Sequence, residues 1–170
     1  AKTEGQQQAL AFATDYADKF DKALETGRCA LFVGLPGTGK THLAAGIGLR
    51  LMKRDNRRVL FTTVMRAVRS IKETWTRGSE LTESEAIEKL VAPDLLILDE
   101  VGVQFGSETE KLMLFDVLNE RYERRRPTLL ISNLDLDGVR AYLGERIFDR
   151  LREDGGEAVA FDWASQRGQA

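Results

Sequence analysis

The stretch GLPGTGKT, Gly34 to Thr41, fits the spacing G-x-x-x-x-G-K-[ST]. Residues of these types wrap a polyphosphate. Backbone N–H groups around Gly34, Gly37 and Gly39 form a cradle, Lys40 reaches the outer phosphates, and the Thr41 hydroxyl can ligate magnesium. Pro36 and Thr38 complete the loop and His42 follows the lysine-threonine pair, so residues 34 to 42 form the candidate segment for binding ATP with Mg2+. A glycine-rich turn that only reverses the chain would leave that pair unexplained. The run LLILDE ends in Asp99 and Glu100, at the carboxyl end of an apolar strand, where open α/β sheets place their ligands. Asp99 suits the metal shell, and Glu100 suits orienting or deprotonating an attacking water. The plainer alternative is a strand ending in solvated acids. TLLISN brings Asn133 to the same edge, to bond the γ-phosphate or the lytic water, to cap the next helix, or both. His42, the only histidine, has a reference pKa suited to a general base. Its place inside the helix and the better position of Glu100 favour a packing or surface role.

These residues need strands that end together. Five apolar or β-branched runs fit: CALFV from Cys29, VLFTTV from Val59, LLILD from Leu95, TLLISN from Thr128 and AVAFDW from Ala158. Four are too apolar to be one-sided. Helical patterns fall at about residues 6 to 25, 39 to 53, 64 to 75, 83 to 91, 109 to 125 and 138 to 151. This alternation predicts an α/β three-layer domain with a five-stranded parallel sheet covered on both faces. TRGSELTES, residues 76 to 84, is the most polar connection and the expected mobile loop.

A chain of 170 residues with 42% hydrophobic content is the size of one domain with a substantial core. The formal net charge of -2 means that nucleic-acid binding would need a local basic face. Cys29 is the only cysteine, so neither a disulfide framework nor a cysteine zinc cluster is expected, and a reduced, cytoplasmic setting follows. No apolar stretch approaches the roughly 18 residues of a membrane span, and the start AKTEGQQQAL lacks the apolar core of a signal peptide. The missing initiator methionine suggests a fragment or a processed chain.

Three cationic segments stand out. GERIFDRLRE carries Arg146 and Arg150 four residues apart, with Ile147 and Leu151 spaced to face the core. An arginine brought from a neighbouring subunit to a γ-phosphate would make hydrolysis depend on assembly; ion pairs with Glu145, Asp149 and Glu153 are the alternative. MRAVRSIKETWTRG interleaves Arg66, Arg69, Lys72 and Arg77 with Trp75, a mix suited either to single-stranded nucleic acid or to a solvated amphipathic helix with an aromatic anchor. RYERRRP, from Arg121, reads as cations complementing a helix C-terminus.

Taken together, GLPGTGKTHLAA, LLILDEVGVQ, RRPTLLISN, LGERIFDRLR and the terminal FDWASQR resemble the AAA+ ATPases, and more closely the DnaC-type replicative helicase loaders, relatives of the IstB transposition helpers. The resemblance covers essentially the whole chain. It implies that Lys40 and Thr41 are the Walker A pair, Asp99 and Glu100 the Walker B pair, Asn133 the sensor asparagine and Arg146 an arginine finger for an adjacent protomer, with Arg150 the next candidate. It also implies single-stranded DNA contacts at Arg69, Lys72 and Trp75, self-assembly into a helix or ring, and a replicative helicase as partner. The helical lid common in AAA+ proteins is expected to be lacking, with Arg167 only a weak substitute for its sensing arginine. The N-terminal region through which such loaders dock the helicase is expected to be missing. Three other readings compete: an IstB-like transposition ATPase, a small-molecule P-loop kinase, for which only Arg77 lies in a candidate lid, and a nucleotide-sensing module with negligible turnover.

Overall fold

Each of the apolar runs becomes a strand. In the computed structural model, which describes residues 3–105 and 107–165, these are β1 (Ala30–Gly34), β2 (Val59–Thr63), β3 (Leu95–Val101), β4 (Thr128–Ser132) and β5 (Glu157–Phe161). They form one sheet in the order β2-β3-β4-β1-β5, every neighbouring pair parallel. The helices are α1 (Glu4–Asp18), α2 (Phe20–Thr26), α3 (Lys40–Asp55), α4 (Val64–Lys72), α5 (Glu83–Val91), α6 (Glu108–Glu123), α7 (Leu136–Leu143) and α8 (Glu145–Arg152).

Side chains alternate across a strand, and both sets are apolar here. Ala30, Phe32, Leu95, Ile97, Leu129 and Ile131 join Ala9, Ala13, Tyr16 and Phe20 and the α3 residues Ala44, Ile47 and Leu51 in one core. Leu31, Val33, Leu96, Leu98 and Leu130 join residues of α4 to α8 in the other. The outcome is the three-layer α/β arrangement, with α1 to α3 on one face and the remaining helices opposite. β2 and β5 are the sheet's edges and are only partly buried. Apolarity did not mark them: Phe61, on β2, remains exposed.

Two of the expected helices are in fact pairs, and a third is shorter. The pattern over residues 6 to 25 breaks at Lys19, whose dihedrals leave the helical range. The pattern over 138 to 151 breaks at Gly144 (φ 79, ψ 155), a conformation open mainly to glycine. Because of that break, Arg146 falls in the first turn of a new helix. The helix expected at 64 to 75 ends at Lys72 and continues as a single 3-10 turn, Glu73–Trp75.

The RYERRRP segment is structural, in a way that sequence periodicity did not indicate. Arg121 is fully buried, at 0% exposure. It donates to the carbonyls of Leu90, Val91, Pro93 and Pro127 and to the Thr128 hydroxyl. Leu90 and Val91 close α5, whose last carbonyls have no partner within the helix, so an arginine of α6 caps a different helix from its own. Burial pulls the guanidinium pKa down to about 10, which still leaves it charged at neutrality. Arg124 pairs with Glu88 and Glu120, and Arg126 with Asp94.

Replacing Arg121 with Met keeps much of the volume but leaves buried acceptors unpaired. We expect a loss of about 3 kcal/mol or more, read as a lower urea midpoint.

Candidate functional site

β3, β4 and β1 are adjacent and parallel, so their carboxyl ends share one edge. At that edge Pro36, Gly37, Gly39, Lys40, Thr41, His42, Asp99, Glu100 and Asn133 line a cleft of ≈ 380 Å³, a volume in the range of small-ligand sites. Most of the residues expected to bind nucleotide are brought together here, His42 among them: it is exposed at the cleft and not packed away.

The loop is held from within. Gly34 is set against the neighbouring strand: a Cβ there would lie 2.3 Å from the Phe161 carbonyl oxygen, so β1 and β5 can pair only if this residue is glycine. Gly39 has φ 98 and would direct a Cβ into open space; its requirement is conformational, and its freedom from neighbours keeps the cradle open. Thr38 supports the loop from inside. Its side chain is buried and donates to the Leu35 carbonyl at 2.8 Å, so the hydroxyl braces the loop and does not face the cleft as a ligand. Lys40, at 4% exposure, donates to the carbonyls of Gly34 and Leu35, each at 2.7 Å. No side chain caps the start of α3, which leaves its first N–H groups and the positive end of its dipole for an anion.

Thr41 and Asp99 join the two halves of the site. The Thr41 hydroxyl donates to Asp99 Oδ2 at 2.8 Å, and Asp99 Oδ1 accepts from the Glu100 N–H at 2.7 Å. Among the described residues no cluster of three or more His, Cys, Asp or Glu side chains could hold a metal. Two adjacent protein oxygens do suit a hard, largely hydrated cation that takes its other ligands from phosphate and water. Glu100 sits at φ 60, a left-handed backbone that costs an L-residue roughly 1–2 kcal/mol. The register between β3 and β4 shifts between Leu98 and Val101, which re-aims this residue out of the sheet. Its carboxylate has no hydrogen-bond or ion-pair partner among the described residues. Asn133 lies one residue beyond β4 and is exposed.

The other candidates lie elsewhere. Arg146 is exposed, has no partner among the described residues and is not at the cleft of its own chain. Arg150, the second finger candidate, is already engaged: it donates to Asn119 Oδ1, and its guanidinium lies 4.7 Å from the centre of the Tyr122 ring. Arg69 and Lys72 flank a shallow groove on α4 that excludes Trp75. Lys72 is paired with the buried Glu110 at 2.6 Å, and Trp75, 54% exposed, donates its indole N–H to Glu83. Arg167 lies outside the described residues. One residue at the site was not foreseen. Trp163, in the FDWASQR segment, donates its indole N–H to the Thr38 carbonyl at 2.9 Å.

The family described as IstB-like ATP binding protein matches residues 23–154. Two curated relatives named replicative helicase loader DnaC, from Buchnera aphidicola subsp. Baizongia pistaciae (strain Bp) and Escherichia coli (strain K12), are 35% and 37% identical over 164 residues. The alignments cover 96% of this chain but 65% of each relative, so the chain spans about two thirds of their length. A crystal structure of the DnaC helicase loader superimposes with a TM-score of 0.82 at 22% identity, over 94% of this chain and 91% of that one. The fold is that of the AAA+ P-loop domains.

The left-handed backbone at Glu100 makes a stability prediction. Glu100→Gly should raise the thermal midpoint by an amount equivalent to about 1 kcal/mol, whereas Glu100→Ala, which keeps a Cβ, should not. Equal midpoints for the two variants would show that the residue carries no strain.

Proposed function

The chain belongs to the IstB-like ATP binding protein family, and from that premise we propose that it is the ATP-hydrolysing portion of a replicative helicase loader. The observation that carries this reading is the Glu100 carboxylate, without a partner among the described residues, beside the Thr41–Asp99 oxygen pair in the cleft at the start of α3. Lys40 and the free N–H groups of the loop bind the phosphates and stabilise charge on the transferring group. Glu100 orients a water and takes its proton, and Asn133 holds the same water or the outer phosphate. Magnesium, held through Thr41 and Asp99, supplies charge neutralisation when bound.

The cleft's own chain supplies Lys40 as its buried cation, while Arg146 lies away from the cleft with no partner among the described residues. Subunits that stack in a helix or ring would bring Arg146 to a neighbour's nucleotide, and turnover would then depend on assembly. Single-stranded DNA would run along α4. Arg69 is its first phosphate contact, because Lys72 must exchange Glu110 for phosphate before it can contribute, and Trp75 offers a stacking surface. The names of the relatives favour helicase loading; a cytoplasmic setting and a helicase contact in the third of the relatives that this chain does not match belong to the same proposal. The family description favours a second reading, a transposition helper that uses the same chemistry on duplex DNA.

Arg146→Ala should leave ADP affinity nearly unchanged and abolish the part of ATP turnover that rises with protein concentration. A tenfold loss of affinity in the monomer, about 1.4 kcal/mol, would instead give Arg146 a role in its own subunit. Anisotropy titrations of a labelled single-stranded oligonucleotide should show tighter, salt-sensitive binding with a non-hydrolysable ATP analogue than with ADP. Arg69→Ala should weaken that binding, and preferential competition by duplex would select the transposition reading.

A further inference from the structure

The bond from Trp163 to Thr38 joins residues 125 positions apart, and it acts on a peptide unit of the cradle itself. A peptide bond is planar and trans, so its C=O and the following N–H point in opposite directions. The Thr38 carbonyl is fixed by the indole on one side. The N–H of Gly39 must therefore face the other way. Gly39 lines the cleft, and its N–H donates to no protein acceptor among the described residues. We infer that Trp163 is a positioning residue for the phosphate cradle: by holding the Thr38 carbonyl it aims the Gly39 N–H at the bound phosphate. This rests on the nucleotide reading of the cleft.

The indole is itself held firmly enough to do this. Its ring lies 4.8 Å from that of Phe161, which lies 5.0 Å from Phe32, and Phe32 meets Phe12 edge-on. On its other side Trp163 rests on Gly5 in the first turn of α1, where a Cβ would come within 3.1 Å of the indole. The Thr38 side chain adds a second tie within the loop through Leu35. Without the indole, the 38–39 peptide could rotate, because Gly39 has no side chain to resist it. The ring alone would still fill its place between Phe161 and Gly5.

Trp163→Phe separates the two roles by keeping a ring and removing the N–H. Calorimetric titration with MgADP should show affinity weakened roughly three- to tenfold, the loss of one positioned hydrogen bond, with the nucleotide-free thermal midpoint moved by no more than about 2 °C. Unchanged ADP affinity with a lowered midpoint would make Trp163 a packing residue and overturn the inference. Trp75→Phe leaves Trp163 as the only tryptophan, and its emission should shift as MgADP is added. Constant emission during demonstrated binding would also overturn it. Failure of the parent chain to bind MgADP would remove the nucleotide reading itself, and the parent titration distinguishes that result from the others.

Discussion

A strand paired in parallel on both sides, with helices above and below, leaves no face to water, so it stays apolar until the sheet stops. β3 and β1 obey this, as does β4 after the Thr128 that opens it, and all three turn polar at the same edge of the sheet. Asp99, Asn133 and the loop after Gly34 are placed by that rule and not by contacts among themselves. Parallel pairing also requires long crossovers, and α3 is the crossover from β1. Its uncapped start therefore faces the acids at the end of β3, and the Thr41–Asp99 bond follows from the topology.

Around that edge the molecule accepts local costs. Glu100 has a left-handed backbone and a carboxylate unpaired among the described residues, and Lys40 is a buried ammonium held by carbonyl oxygens. Such features persist only where surrounding structure over-determines them. Here the shell is rigid on both sides: Leu98 and Val101 are buried around the Glu100 kink, and Phe161 presses against Gly34. The far end of the sheet has a different solution to a similar problem. There the buried Arg121 satisfies the closing carbonyls of α5 at a point where no water reaches. Both cations are thus held by main-chain carbonyls, but Arg121 lies sealed in the interior whereas Lys40 lines an open cleft.

Much of this was legible in the sequence because its signals are local. The GLPGTGKT spacing, the apolar runs and the acids ending LLILDE each declare themselves within a few residues. What escaped was the pairing of distant residues. Arg121 looked like a surface cation because periodicity describes its own helix and not the α5 terminus it reaches. Lys72 fitted a basic stripe, but Glu110, 38 positions later, was already placed to bind it. The helical period continued through Gly144 although the backbone did not, and a glycine within a pattern does not announce whether it bends. The left-handed backbone at Glu100 left no trace in composition, since it arises from the mismatch between two strands.

The contacts from β5 to the front of the chain also bear on the order in which the protein is made. The cradle occupies residues 34 to 41, but Phe161 closes against its first glycine and Trp163 holds its fifth residue. A chain emerging from the ribosome will have its nucleotide motif long before it has the strand that completes it. Closing so long a separation is also among the later events of folding. The loop therefore stands without its support until the residues of β5 and Trp163 have been made.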